Sequence, residues 1–292
     1  MQLRKSQKQF TKIRMALQAP SGGGKTMSAL LIAYGLSNDW EKVAIIDTEA
    51  GSADLYSSLG KYNVLPLDNP YSPENYIKAI DLCEDAGMEV IIIDSISHLW
   101  EYLLDYHSNM AGNSFTNWAK INPMLKSFVD KILSSKCHVI CTLRVKQDYV
   151  LNLKDGKHIP EKVGLKSNFR DGFDFEMTIV LDIDIKNMAT SSKDRTNLFS
   201  SKPAFKLTPD TGKLIKEWCE SGITIEEIQK EIQATKNVDE LNEIYKRYSY
   251  LYTHLQADFV TRKAELNSSN KAVIANELLN PQNFSNNGTT TL

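Results

Sequence analysis

A glycine-rich segment near the amino terminus carries the residue types that bind phosphate. It follows the apolar stretch IRMALQA and precedes a segment with helical periodicity. Glycines at such a junction let backbone N–H groups converge on a phosphate at a helix N-terminus, where the dipole favours an anion. A lysine and a threonine at the end of the loop then reach the β- and γ-phosphates and Mg²⁺. The order of strand, loop and helix favours a nucleoside-triphosphate site over a chance glycine-rich turn, with contacts predicted at Ser21, Gly22, Gly23, Gly24, Lys25 and Thr26.

Two further apolar segments end in acidic residues. Asp94 ends the run EVIIID and is the candidate carboxylate for Mg²⁺, together with the Thr26 hydroxyl. Ser95 follows it, so the base that activates water must come from another strand end. Glu49 follows the run VAIIDT, and the carboxyl ends of parallel strands are where α/β sheets present ligand groups. Glu49 is therefore the candidate general base; a solvated loop glutamate or a helix cap is its alternative, and Asp94 alone could also be a cap.

Short apolar runs alternate with helical patterns from Ile13 to about Ile185, which is typical of a parallel sheet with crossover helices. We predict a doubly wound α/β domain with strands IRMALQA, VAIID, NVLPL, EVIIID, CHVICTL and FEMTIVLDI. Helices are expected over about 25–36, from Ser72 and after Pro123, whereas the polar stretch 146–174 is expected to be a long loop. The predicted units are a core over 1–222 with a basic N-terminal segment, a helical hairpin over 223–266 and a flexible tail over 267–292.

Composition narrows the class of protein. The chain has 42% hydrophobic and 24% charged residues, which is typical of a soluble globular protein. Its four cysteines form no C-x-x-C pair, so neither a disulfide framework nor a zinc site is expected. The basic N-terminal stretch lacks the apolar run of a secretion signal, and no segment reaches the length that spans a bilayer. We therefore expect a cytoplasmic protein without a membrane partner.

Charge is segregated along the chain, although 34 basic residues nearly balance 36 acidic ones. Residues 38–110 contain fourteen acidic and three basic residues, whereas 144–170 contain seven basic and three acidic. Residues 186–216 contain seven basic and two acidic. Each run alone is compatible with solvated surface, but basic runs close to a nucleotide site also suit an anionic partner.

Taken together, GGGKT, IIDTE and IIIDS, followed by HVICTLRVK, resemble the core of RecA-like ATPases. The later segments EKVGLKSNFRDGFDFEMTIVLDI, SSKDRTNLF and LTPDTGKLIKEWCESG are similar to compact phage RecA-type ATPases encoded beside single-strand annealing functions. The resemblance covers residues 10–222. It implies ATP and Mg²⁺ as ligands, nucleotide contacts at Gly22 to Thr26, a metal-side Asp94 and a catalytic Glu49. If the source is a phage, the compartment is the cytoplasm of a bacterial host.

The same resemblance suggests a link between ATP and DNA. RecA itself carries a glutamine that senses the γ-phosphate at the position of Thr142, so the shorter threonine departs from that pattern. Residues 107–118 and 146–174 correspond to the two DNA-binding loops. Single-stranded DNA needs cations for its phosphates and planar groups for its bases. The candidates are Arg144, Lys146, Tyr149, Lys154 and Lys157, with Phe115 and Trp118 as stacking residues or, alternatively, as core anchors.

RecA-like assemblies bind ATP between subunits, and a neighbour donates cations to the transferring phosphoryl group. Candidates for catalysis in trans are Lys162, Lys166, Arg170, Lys193 and Arg195.

The function predicted first is an ATP-dependent, homo-oligomeric protein that binds single-stranded DNA as a filament or ring and assists recombination or annealing. A single-strand-binding protein or an annealase is a further candidate partner. One alternative is a small-molecule or nucleotide kinase, in which Arg170 and Arg195 would belong to a lid. The other is a RecA-fold DNA motor or regulatory ATPase.

Overall fold

The computed structural model describes residues 11–154, 157–222, 225–248 and 252–278. Two compact units divide the described chain: Thr11–Cys219, and the residues from Glu220 onward. Each unit has its own apolar core.

The first unit is built on a mostly parallel sheet. Seven strands lie in the order β3-β2-β4-β5-β1-β7-β8, and all neighbours are parallel except β7 and β8. The sixth strand pairs only with β5. The predicted α/β fold is thus confirmed. The strands are β1 Arg14–Ala19, β2 Val43–Asp47, β3 Asn63–Pro66, β4 Val90–Asp94, β5 His138–Lys154, β6 Lys157–Ser167, β7 Ile179–Ile183 and β8 Ala189–Asp194.

Helices cover both faces of this sheet, and local capping explains where several begin. Ser72 accepts a hydrogen bond from the Asn75 amide, so α2 starts one residue later, at Pro73. Asn113 caps α4 in the same way, and Pro123 lies inside this helix rather than before it. The predicted start after Pro123 was therefore wrong. The helices are α1 Lys25–Ser37, α2 Pro73–Asp85, α3 Ser97–Ser108, α4 Ser114–Ser134, α5 Phe173–Glu176 and α6 Pro209–Glu220.

Strand β4 is buried on both of its faces in the centre of the first unit. All five of its residues are buried, because both of its faces are covered and no polar side chain faces water. One face packs against α2 and α4, where Tyr76 and Phe128 meet edge to face with their ring centroids 5.5 Å apart. The other face packs against α1 and α6. There Gly35 and Gly212 bring the two helix backbones so close that a Cβ on either would collide with backbone atoms of the other helix.

A long hairpin replaces most of the loop predicted over 146–174. The parallel pairing of β5 with β1 ends at Arg144, and the antiparallel pairing with β6 begins one residue later, between Val145 and Ser167. The hairpin closes at Lys154 and Lys157. The sequence analysis did not use one feature that indicates a hairpin here. The pair Asp155-Gly156 lies between two segments with β-forming residues and favours a tight turn.

The second unit contains three described helices where the sequence predicted a hairpin of two. They are α7 Ile225–Ala234, α8 Val238–Arg247 and α9 Tyr252–Leu278. Asn237 separates the first two, because its side chain accepts a hydrogen bond from the Glu240 amide at 2.8 Å and starts α8. Residues up to Leu278 are helical, although the sequence predicted a flexible tail from 267. Residues 279–292 lie outside the described residues.

Within the described ranges, no helix combines the length and apolarity that crossing a membrane requires.

Candidate nucleotide site

The glycine-rich segment forms the turn between β1 and α1, and its glycines fit the backbone it adopts. Gly22 and Gly24 both have φ of 78°, a left-handed conformation that glycine tolerates best. A Cβ on Gly23 would lie 2.9 Å from the Cβ of Ala19, and one on Gly24 would lie 2.6 Å from Oδ1 of Asn187. The predicted loop therefore exists at the N-terminus of α1, and the turn between β7 and β8 approaches it through Asn187.

Lys25 stands at the first position of α1. Its Nζ donates to the carbonyl oxygens of Ala19 at 3.4 Å and Pro20 at 3.3 Å, so the ammonium group folds back over the loop. Burial lowers the pKa of Lys25, although the carboxylates of Asp94 and Glu49 act in the opposite direction. The loop lysine thus lies in the field of both predicted acidic groups, and a bound phosphate would be a further anionic partner for it.

Asp94 is held by two hydroxyl groups. Thr26 Oγ1 donates to Asp94 Oδ2 at 2.6 Å, and Thr142 Oγ1 donates to Asp94 Oδ1. The carboxylate is 1% exposed, and this burial raises its pKa. A hydroxyl and a carboxylate in contact are oxygen ligands of the kind that Mg²⁺ prefers, so Thr26 and Asp94 fit the predicted metal role.

The position of Thr142 follows from the order of the strands. Because β5 lies between β1 and β4, the Thr142 side chain is fully buried beside the end of β4 and contacts Asp94. By resemblance to RecA, Thr142 occupies the position of a glutamine that senses the γ-phosphate. In the structure its hydroxyl is hydrogen-bonded to the metal-side carboxylate instead, which is a contact that the sequence did not predict.

Glu49 forms an ion pair with Arg144, a residue that the sequence analysis predicted to bind DNA. Arg144 Nε donates to Glu49 Oε1 at 3.0 Å, and a terminal nitrogen of the same guanidinium donates to Oε2 at 2.6 Å. Burial alone would raise the pKa of Glu49, but the hydrogen bonds and charge of Arg144 outweigh it, and the pKa lies below its ordinary value. Both carboxylate oxygens of the candidate base are thus engaged.

A network of hydrogen bonds around Thr48 fixes the loop that carries Glu49. The sequence analysis did not predict this network. Thr48 Oγ1 accepts a hydrogen bond from the Ser95 amide at 2.8 Å and lies 2.7 Å from Nδ1 of His98. The His98 ring stacks on Tyr71, whose hydroxyl donates to the Thr48 carbonyl at 3.3 Å. These contacts connect the segments that follow β2 and β4, so Glu49 and Asp94 are held at the same edge of the sheet.

The β5–β6 hairpin carries residues predicted for two roles. The backbone positions of all of them are described, whereas their side chains lie outside the described part of the chain. The residues predicted to bind DNA are Lys146, Tyr149, Lys154 and Lys157, and those predicted to act in trans are Lys162 and Lys166.

The two candidate stacking residues differ in their surroundings. Phe115 is 86% exposed. Trp118 stacks on His107 with their ring centroids 4.3 Å apart, and on Trp100 at 5.9 Å. These contacts favour the alternative that Trp118 anchors the segment in the core.

The remaining candidates for a role in trans contact their own chain. Arg170 donates to Asn122, and its guanidinium carbon lies 5.9 Å from the Trp118 ring centroid. Lys193 Nζ donates to the Asp174 carbonyl at 2.6 Å, and Arg195 donates to the Phe175 carbonyl at 2.8 Å. The structure therefore does not bring these three cations to Glu49 or Asp94 of the same chain, and their catalysis in trans stays a prediction.

A parallel sheet, a glycine loop at the start of α1, and a strand-end aspartate bonded to the loop threonine together define a P-loop nucleoside triphosphatase. A family model described as an AAA domain matches residues 11–206, about two thirds of the chain. The chain belongs to this family, whose members hydrolyse nucleotides as ATPases. No curated protein matches the sequence. The P-loop part of the resemblance is thus supported, and the phage and recombination parts remain predictions.

Proposed function

We propose that the chain is an ATPase that binds single-stranded DNA as a homo-oligomer and uses ATP hydrolysis to switch its DNA affinity in recombination or annealing. The observation that carries the proposal is the position of Arg144. It contacts the candidate base Glu49 and is the last residue of β5 that pairs with β1, directly before the part of β5 that pairs with β6 and carries the basic run. A single residue therefore connects the nucleotide site with the segment suited to an anionic polymer.

The described residues suit water activation and charge neutralisation. In the proposed reaction, Glu49 accepts a proton from the attacking water, and the water oxygen bonds to the γ-phosphorus. The bond to the bridging oxygen breaks, and ADP leaves with that electron pair. Lys25 and the loop amides bind the phosphates, and Mg²⁺ held by Thr26 and Asp94 would supply positive charge there.

Charge supports DNA as the partner. Residues 144–170 contain seven basic and three acidic residues, whereas 38–110 have the opposite balance. A two-stranded ribbon with lysines can follow a phosphate backbone, because phosphate contacts supply most of the affinity for single strands. Hydrolysis at a subunit interface would use Lys162, Lys166, Arg170, Lys193 or Arg195 from the neighbour, and an annealase or single-strand-binding protein is the proposed further partner.

Fluorescence anisotropy of a labelled single strand, with and without an ATP analogue, tests the DNA part of the proposal. We expect Lys154→Ala/Lys157→Ala to weaken binding and to reduce the slope of log K against log salt by about 1.4, because each phosphate contact on a single strand contributes about 0.7. The matched control is Lys61→Ala/Lys78→Ala, which removes the same charge from exposed positions in the acidic region. Equal binding by both variants would contradict the proposal.

Product analysis separates the alternatives. A kinase would transfer the γ-phosphate to an acceptor, whereas the proposed ATPase releases it as inorganic phosphate whether or not an acceptor is present. A motor would displace a strand or a bound block from DNA in an ATP-dependent manner.

A further inference from the structure

Helix α9 is much longer than the two helices on which it packs in the second unit. It has 27 residues, whereas α7 and α8 have 10 each. At 1.5 Å per residue these lengths are about 40 Å and about 15 Å. Leu266 is the last α9 residue in the described core of the unit, so residues 267–278 continue the helix by about 18 Å. A short helix alone is marginal in water, so this part of α9 needs a contact.

A second stripe on α9 is separate from the stripe that packs on α7 and α8. Phe259 and Leu266 belong to the core and are buried, whereas Val260 is 59% exposed and Ala264 and Asn267 are also exposed. The second stripe repeats at alternating intervals of four and three residues, the spacing by which one helix packs along another. Its last three members are placed by backbone position alone, because their side chains lie outside the described part of the chain. We call it the outer stripe; it consists of Val260, Ala264, Asn267, Lys271, Ile274 and Leu278.

A cavity between α8 and α9 opens beside the first residue of the outer stripe. Its volume is about 250 Å³, which accommodates an aliphatic side chain. Tyr245 is 41% exposed on the α8 side, and its ring meets the Phe259 ring edge to face with the centroids 5.4 Å apart. An apolar side chain from another helix can therefore be buried there against two aromatic rings. The cavity is lined by Leu241, Asn242, Tyr245, Phe259, Val260 and Lys263.

We propose that a second copy of this chain covers the outer stripe, with the two α9 helices packed antiparallel about a two-fold axis. The intervals of the stripe, four-three-four-three-four, read the same in both directions. A two-fold axis level with Ser269 therefore puts each member of the stripe opposite a member of the partner's stripe. The resulting pairs are Val260 with the partner's Leu278, Ala264 with the partner's Ile274, and Asn267 with the partner's Lys271.

The chemistry of these pairs fits such a contact. Two of the three pairs are apolar, and the partner's Leu278 supplies the aliphatic side chain that the cavity beside Val260 accepts. The central pair joins an amide and an ammonium, and a polar pair at such a position fixes the register of packed helices at some cost in stability. Lys263 flanks the outer stripe on the side of the partner's Glu277, so the charges across the contact are opposite.

The length of the outer stripe favours a second copy over another helix of the same unit. The stripe spans about 27 Å, whereas α7 and α8 are each about 15 Å long and already pack on the other face of α9. A second α9 has the same length and the complementary pattern. The contact needs neither ATP nor DNA, so the inference goes beyond the proposed function and can fail without it.

Sedimentation equilibrium of the full chain, without nucleotide or DNA, tests the inference with opposite charges at one position. We expect Asn267→Glu to tighten the dimer about fivefold, because each copy gains an ion pair with the partner's Lys271. Asn267→Lys is expected to weaken the dimer by a similar factor, because like charges then face each other. Val260→Glu should weaken it at least about tenfold, because a carboxylate then lies beside the apolar cavity. The matched controls are Thr261→Glu and Thr261→Lys, which change an exposed position outside the outer stripe and should dimerise as wild type.

The outcomes separate the alternatives. A wild type that stays monomeric at every concentration measured, or an oligomer that Val260→Glu leaves intact, overturns the inference and leaves the proposed function standing. If Asn267→Glu and Asn267→Lys both weaken the dimer, the helices are parallel with Asn267 facing itself, and the antiparallel contact is wrong. Far-UV circular dichroism reports whether each variant keeps its helices.

Cross-linking gives a second measurement that does not depend on charge. A mixture of Ala264→Cys and Ile274→Cys chains should form a disulfide between copies under a mild oxidant, whereas Ala264→Cys alone should not. The four natural cysteines are buried and do not compete. A cross-link between two Ala264→Cys chains, or none in the mixture, overturns the inference.

Discussion

His138 makes the stability of the first unit depend on pH. It is the first residue of β5 and is 5% exposed, and its Nδ1 accepts a hydrogen bond from the Ile13 amide at 3.1 Å. Burial places the pKa of His138 well below its ordinary value of 6.5, and the charges of Lys12, Arg14 and Lys216 act in the same direction. The imidazole is therefore neutral in the folded chain.

The sign of the effect follows from proton linkage. Below about pH 6.5 the unfolded chain binds a proton at His138, whereas the folded chain does not, so stability falls as the pH falls. For a single group that binds a proton only in the unfolded chain, the loss is at most about 1.4 kcal/mol per pH unit, so it does not exceed about 2 kcal/mol between pH 8 and pH 5.

Urea unfolding at these two pH values, followed by tryptophan fluorescence, measures this loss. All four tryptophans lie within Thr11–Cys219, so the signal reports on the unit that contains His138. The matched variant is His138→Asn, which keeps an acceptor near the position of Nδ1 but does not titrate. We expect the difference in free energy of unfolding between wild type and variant to shrink from pH 8 to pH 5, by at most about 2 kcal/mol. A difference that stays constant with pH would refute the reasoning, because contributions from other groups cancel.

Substitutions at three further positions test the packing and the site. Gly212→Ala should destabilise the first unit by several kcal/mol, roughly the upper range for single substitutions, because the added Cβ collides with the Ile32 carbonyl; an unchanged melting temperature would count against that close approach. Thr142→Val should cost about 1.5–3 kcal/mol in urea unfolding without nucleotide, whereas Thr142→Ser should retain the bond to Asp94; equal losses would contradict the role of the hydroxyl. Gly24→Ala should abolish binding of a fluorescent ATP analogue, and normal affinity would show that the loop tolerates a Cβ facing Asn187.

The sequence predicted those features that depend on neighbouring residues. The buried strands, the glycine loop and the cap at Ser72 are each specified within a few positions, and the structure has all of them. The hairpin after Arg144 was missed because its polar and basic composition resembles a loop, and only the Asp155-Gly156 pair indicated a turn.

The contacts within the site depend on strand order, which no local pattern reveals. Glu49 and Arg144 are 95 positions apart and meet because β2, β4, β5 and β1 are neighbours in the sheet and end at the same edge. Thr142 contacts Asp94 for the same reason. The sequence could name these residues as candidates, but their pairing required the tertiary structure.

The central claim is that the glycine loop, Asp94 and Glu49 form one site that binds and hydrolyses ATP. The most direct test measures phosphate release and equilibrium nucleotide binding for wild type, Lys25→Ala and Glu49→Gln in the presence of Mg²⁺. The account predicts that Lys25→Ala loses both nucleotide binding and phosphate release. Glu49→Gln is predicted to retain ATP binding and to release at least about a hundredfold less phosphate per unit time. Full turnover by Glu49→Gln would contradict the account.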